Sequence, residues 1–307
     1  MLRSTAKSFT VALIFTTVFS LFAVASVRGS FERTLQVSGP VNLQVLTRSG
    51  DITVRNGPAG TVKISGKIHV EDSWFSGRRQ DDVNEVEKTP PIHQEGNNIH
   101  VDYLNYHGIS VDYEITVPAD TTLHAQSGSG DQRIEGLTGA VDLESGSGDM
   151  MLRDLSREVR LRTGSGNVEA HNISAPFTAE AGSGDIRLDE KDAGHVHVHT
   201  GSGNIEVRGV NGGLRAESGS GDVEVSGINK GEWTVRTSSG DVDLQLPSDA
   251  AFDLDATAGS GSVVVDRPVT MTVQGDLRRA EHTIRGKVSG GGPQLFVHTG
   301  SGDIRIH

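Results

Sequence analysis

Ser127-Gly-Ser-Gly-Asp131 is followed by Ser145-Gly-Ser-Gly-Asp149, Thr163-Gly-Ser-Gly-Asn167 and Ala181-Gly-Ser-Gly-Asp185. The series continues with Thr200-Gly-Ser-Gly-Asn204, Ser218-Gly-Ser-Gly-Asp222 and Thr237-Ser-Ser-Gly-Asp241. From Asp131 to Asp241 the steps are 18, 18, 18, 19, 18 and 19 residues. Ala258 to Ser262 is a weaker copy, Thr299 to Asp303 is the last one, and Ser49-Gly50-Asp51 is a truncated opening one. A fixed period of this length is the mark of one structural unit stacked on itself.

Each turn is flanked by short alternating segments, such as Val141-Asp-Leu143 before one turn and Ile186-Arg-Leu188 after another. Alternation with a period of two, bounded by turn residues, reads as strand. Stacking coils of this kind places each strand about 4.8 Å from its copies above and below. The position after the turn then reads Met150, Val168, Ile186, Ile205, Val223, Val242, and two places on, Leu152, Ala170, Leu188, Val207, Val225, Leu244. These are expected to be inward ladders. Between them Glu169, Arg187, Glu206, Glu224 and Asp243 face out. The residue opening each turn, Ser, Thr or Ala, is small enough for a tight inward corner. The expected fold is all-β: a single-chain β-solenoid, β-helix-like, with right-handed coils of roughly 18 residues.

Outward from the repeat the chain is less regular. Val62 to Val70 and Ile99 to Val117 read as longer strands, and Asp72 to Asn98 as an inserted loop or short helix. The expected domain runs from 31 to 307, with an irregular N-terminal part at 61–120 that covers that end of the stack. Residues 263–298 form a second irregular insertion, with Met271-Thr-Val and Thr283-Ile-Arg as a hairpin or as irregular coils. The chain stops just after Ile304-Arg-Ile306, so this strand is expected at an open edge where another copy or a partner could pair.

Residues 1–25 carry Arg3 and Lys7, then an apolar run from Phe9, then Ala23-Val-Ala25. This is the pattern of a signal peptide cut after Ala25, or of an uncleaved anchor. Either places the rest of the chain outside the cytoplasm: periplasm, cell surface or medium. Cleavage takes the net charge from −12 to −14 by removing Arg3 and Lys7. Such a surface repels nucleic acid. The chain has no cysteine, which removes disulfides and thiolate chemistry. Thirty-nine glycines with only 5% aromatic residues suit a thin aliphatic core better than a thick one.

Ile115-Thr-Val-Pro118, Leu123, Ser127 to Asp131 and Val141 to Asp149 together resemble a bacterial domain family named "putative adhesins", a domain of unknown function. The likeness spans roughly residues 40–307. It implies a β-helix-like fold at the cell envelope and carries over no catalytic residue.

Three chemistries compete with a purely structural reading of the turns. Stacked acids could hold calcium, but Asn167, Asn204 and Ser262 stand where a hard cation wants carboxylates. Asp and Asn alike serve turns through side-chain-to-backbone hydrogen bonds. Asp131, Asp149, Asn167, Asp185, Asn204, Asp222, Asp241 and Asp303 are therefore expected to be a structural column. His195, His197 and His199 share one strand face at metal-ligand spacing, with Val196, Val198 and Thr200 on the other. That places the histidines toward solvent. Arg133, Arg187 and Arg305 could act as the base of a polysaccharide-cleaving solenoid, but they alternate with glutamates and are expected to pair between coils. The function expected is a non-catalytic adhesin-like binding or structural module of the envelope. It carries no cofactor, and its ligand is a protein or glycan. The alternatives are a polysaccharide-acting solenoid enzyme and a calcium-stabilised surface protein.

Overall fold

The computed structural model describes residues 26–70, 79–192, 194–271 and 282–307. The segment read as a signal or anchor lies outside them. Among the described residues no helix is long and apolar enough to cross a membrane.

The chain begins with β1 (Ser26–Gln36), β2 (Asn42–Ser49), β3 (Ile52–Gly57) and β4 (Thr61–Val70). Then come the helix α1 (Arg79–Lys88), β5 (Ile92–Glu95), β6 (Asn98–Val101) and β7 (Ile109–Pro118). The repeat follows as pairs of strands joined through the Gly-Asp turn: β8 (Thr122–Ser129) with β9 (Gln132–Glu135), β10 (Val141–Ser147) with β11 (Met150–Leu155), and β12 (Val159–Ser165) with β13 (Val168–Ile173). It continues with β14 (Phe177–Ser183) and β15 (Ile186–Glu190), β16 (His195–Ser202) and β17 (Ile205–Val210), and β18 (Gly213–Ser220) and β19 (Val223–Gly227). The last elements are β20 (Trp233–Ser239), β21 (Val242–Gln245), β22 (Phe252–Ser260), β23 (Val263–Val265), β24 (Val269–Thr270), β25 (Thr283–Val288), β26 (Gln294–Ser301) and β27 (Ile304–Ile306).

The strands before the turns form one long sheet and those after the turns another. Within the stack, equivalent residues pair in parallel: Leu143 lies between Ala125 and Leu161, and Leu188 between Ala170 and Val207. The two sheets share one thin core, because inward positions from both, such as Val235 and Val225, are fully buried. Both expected inward ladders are buried throughout, while Met151 between them is 39% exposed. A two-sheet β-solenoid is the result.

The N-terminal end is capped as expected from residues 61–120, with help from β1. β7 pairs in parallel with the outer edge of β3, β4 lies antiparallel to β7, and β1 antiparallel to β4. In the other sheet β6 pairs with β2, and β5 with β6. The expected continuous strand from Ile99 to Val117 is instead two strands, broken at 102–108. The inserted stretch contains the helix α1, which buries Val83 and Val86 against the cap. Arg33 of β1 donates to the carbonyls of Glu87 and Lys88 at 2.9 Å, satisfying carbonyls that a helix C-terminus leaves free.

The C-terminal end corrects the expectation of an open edge at Ile304 and Ile306. β27 is paired on both sides, with β21 and with β23. β26 likewise lies between β20 and β22. The chain leaves β21, builds the outermost coil from β22 and β23, and returns to insert its last coil into the space between. Ile304 and Ile306 are fully buried. Beyond β22, β25 and β24 add antiparallel strands; of the hairpin strand expected at Met271-Thr-Val, the last two residues lie outside the described ones. Arg267 fastens this arrangement by donating to the carbonyls of Leu246, Pro247 and His307.

Candidate interaction faces

The corner between the sheets is built from small side chains and backbone. The second glycine of each turn lies at positive φ; Gly184 has φ +139°, and a Cβ there would sit 2.1 Å from the Gly166 carbonyl oxygen. The first glycine has a different reason: a Cβ on Gly182 would meet the Gly164 carbonyl oxygen at 2.6 Å. The residue opening the turn is buried, and in four coils its hydroxyl ties the corner to the adjacent coil. Thr200, Ser218, Thr237 and Thr299 donate to glycine carbonyls of the neighbouring coil at 2.9–3.0 Å.

The Asp column forms one continuous ladder. The Oδ1 of Asp131 accepts from the backbone N–H of Asp149, Asp149 from Asn167, Asn167 from Asp185, and Asp185 from Asn204, at 2.7–3.1 Å. It runs on through Asp222, Asp241 and Asp303 to Ser262, each N–H bonded to the side chain before it. At the other end Asp112 of β7 accepts from Asp51, and Asp51 from Asp131. Asp112 has no signature in the sequence because it lies in no turn. Among the described residues Ser262 is the outermost member of the ladder.

Each flank of the corner carries a groove along the stack. On the first sheet it holds about 550 Å³, floored by Gly146, Gly164, Gly182 and Gly201 and walled by Glu144, Arg162, Glu180 and His199. On the second sheet it holds about 430 Å³, between the Asx ladder and the column Glu169, Arg187, Glu206, Glu224.

Charges in these columns are mostly compensated by neighbours. Arg162 pairs with Glu180 at 3.4 Å, and Arg215 and Arg236 both reach Glu217 at 2.9 and 3.6 Å. Arg187 and Arg208 both clasp Glu206. Arg133 and Arg305 pair with turn acids, Asp131 at 3.0 Å and Asp303 at 3.2 Å. Thus all three arginines weighed as catalytic bases sit in ion pairs. His171 bridges Glu169 and Asp189 at 2.8 and 2.6 Å, and these bonds raise its pKa.

His195, His197 and His199 lie on the outer face of β16, with Val196, Val198 and Thr200 buried beneath. In register His197 stands between Thr178 and Arg215, and His199 between Glu180 and Glu217. Among the described residues no group of three His, Cys, Asp or Glu is placed to hold a metal ion.

This is a two-sheet β-solenoid closed by a glycine corner, with an Asx ladder along its edge. Residues 155–307 match the family model described as Toastrack DUF4097. Among solved structures it is similar to a "putative cell adhesion protein" from Clostridium sporogenes ATCC 15579, at 15% identity over 90% of this chain and 98% of that one, TM-score 0.22. It is also similar to a "putative adhesin" from Bacteroides fragilis NCTC 9343, at 13% identity over 91% of this chain and 98% of that one, TM-score 0.42. No curated protein matches the chain.

Proposed function

We propose that the chain is a non-catalytic, exported adhesin-like module that holds a repetitive polar surface toward an envelope or extracellular ligand. The observation that carries this reading is the groove on the first sheet. It is long, shallow and floored by glycine, with side chains of alternating charge repeated at the coil spacing. Such a surface suits a linear ligand with its own repeat, a glycan or an extended polypeptide. It lacks the concave, converging shape that chemistry on a small substrate asks for. The apolar segment read from residues 9–27 supports export, and it joins the fold at β1 in the N-terminal cap. On this reading the regular coils extend away from any anchor.

The test is adhesion. Beads coated with the purified protein are applied to films of cell-wall polysaccharide and of extracellular-matrix protein, with Glu144→Arg/Glu180→Arg as the groove variant. Adhesion to one film that the variant removes supports the reading. Release of reducing sugar from the polysaccharide, or equal adhesion by the variant, sinks it.

A further inference from the structure

The N-terminal cap encloses a pocket that the repeat does not require. In β2, pairing with β6 runs from Asn42 to Val45 and stops there. Among the described residues Leu46 to Ser49 has a strand partner only on its β8 side. Where the next strand would lie, the 102–108 segment arches over instead. The space left holds about 160 Å³, lined by Leu46, Arg48, Leu104, Tyr106, Ile109 and Tyr113. That is room for one aliphatic side chain, well below the size of a cofactor site. The arch is held in place: Leu104 and Tyr106 pack on the core, and the Tyr106 hydroxyl bonds to Glu85 of α1.

Two polar groups here lack partners. Tyr113 is only 2% exposed, and its hydroxyl makes no hydrogen bond among the described residues. Burial raises its pKa, so it is a neutral donor. Arg48 is exposed, and its guanidinium makes no ion pair or hydrogen bond among the described residues. It stands where the following coils carry the first glycine of the turn, so the cation is peculiar to this coil.

We propose that this pocket binds the C-terminal residue of a polypeptide. The apolar side chain fills the cavity and the terminal carboxylate meets Arg48, a pairing whose geometry is naturally bidentate. The Tyr113 hydroxyl donates to a ligand oxygen. The preceding backbone leaves the pocket toward solvent; carboxylate capture is a recurrent mode of peptide recognition. The inference stands apart from the groove reading, because it uses neither outer face of the repeat.

The test is calorimetry on the purified protein with hexapeptides ending in Val, Leu or Phe, their C-terminal amides, and 4-methylpentanoate as a free small acid. At least one free-acid peptide is expected to bind, with its amide and the Arg48→Gln variant each weaker by about tenfold or more, the worth of a charge-assisted bond. Tyr113→Phe is expected to weaken binding several-fold, while Arg162→Gln in the groove leaves it unchanged. No binding by any free-acid peptide at millimolar concentration overturns the proposal, as does equal binding of peptide and amide. If 4-methylpentanoate binds as tightly as the best peptide, the polypeptide assignment is wrong.

Discussion

Asp185 shows what the corner asks of one side chain. Its Oδ1 takes the N–H of Asn204 at 2.7 Å, and its own N–H goes to Asn167. Asn supplies the same acceptor and alanine does not. Asp185→Asn is therefore expected to stay within about 0.5 kcal/mol of the parent. Asp185→Ala should lose about 1 kcal/mol, the net worth of a hydrogen bond. Equal urea midpoints for the two variants would remove any energetic role from the ladder. A chelator is expected to leave the midpoint unmoved, and a large drop would mark the acids as a cation site. The interchange of Asp and Asn made the column legible in sequence. Glu190 was not legible, since it occupies an inward position that Ile173 fills one coil earlier. It is 7% exposed, and burial pushes its carboxyl up to about 7. An acid whose folded pKa is raised is at no disadvantage below its unfolded value of 4.5, and it costs stability as pH rises from there through 7. His171, raised by its two carboxylate partners, stabilises fully below its unfolded value of 6.5, and that contribution is lost as pH climbs through the raised one. Both predict a protein more stable at pH 5 than at pH 8. At pH 8 Glu190→Gln is expected to gain on the order of 2–3 kcal/mol, since a tenfold change in proton affinity is worth roughly 1.4 kcal/mol. A flat difference between parent and variant across that range would refute the assignment.

At the scale of the strand, alternation decides which substitutions matter. Val225 is fully buried in β19, and Glu224 beside it is exposed. Val225→Asp is expected to cost several kcal/mol by burying an unpaired carboxylate, whereas Glu224→Lys should stay within about 0.5 kcal/mol. Equal shifts in urea unfolding would contradict the inward ladder. Gly184→Ala is expected to be as damaging as Val225→Asp, because the methyl group would meet the preceding turn's Gly166 carbonyl at 2.1 Å and the residue sits at a positive φ. Strands of the repeat were readable because period, alternation and turn coincide on the same residues. The cap was readable only as an exception. Its strands are held by partners far away in sequence, such as Phe31 of β1 against Tyr113 of β7 with ring centroids 6.3 Å apart, and no local pattern announces them. The pocket at Arg48 shares that cause: its walls come from β2, the 102–108 arch and β7.

For the whole molecule, the sequence period implied that coils stack in the order in which they are read, and at one point they do not. Both Ala258 to Ser262 and Thr299 to Asp303 satisfy the columns beyond Asp241, so side-chain pattern alone left the order undecided. The structure places Asp303 between Asp241 and Ser262. Ile304 and Ile306 therefore lie on no open edge, and Arg305→Pro is expected to act on stability rather than on mass in solution. A chain ending at Gly292 should leave β20 and β21 without their next neighbours and lose hydrogen-exchange protection from coil 233–245 onward; undiminished protection there would show that β26 and β27 add nothing to the stack. The same inserted coil bears on time. The ribosome delivers residues 252–265 well before 294–306, and until the later segment arrives β22 has only β25 beside it and β23 lacks its partner β27. Growth of the stack as the nascent chain emerges must therefore pause after residue 245, and the final two coils lock together in one event, like a keystone admitted last. Until then, the unfinished end is the place where a protease, or a second unfinished chain, finds an open strand.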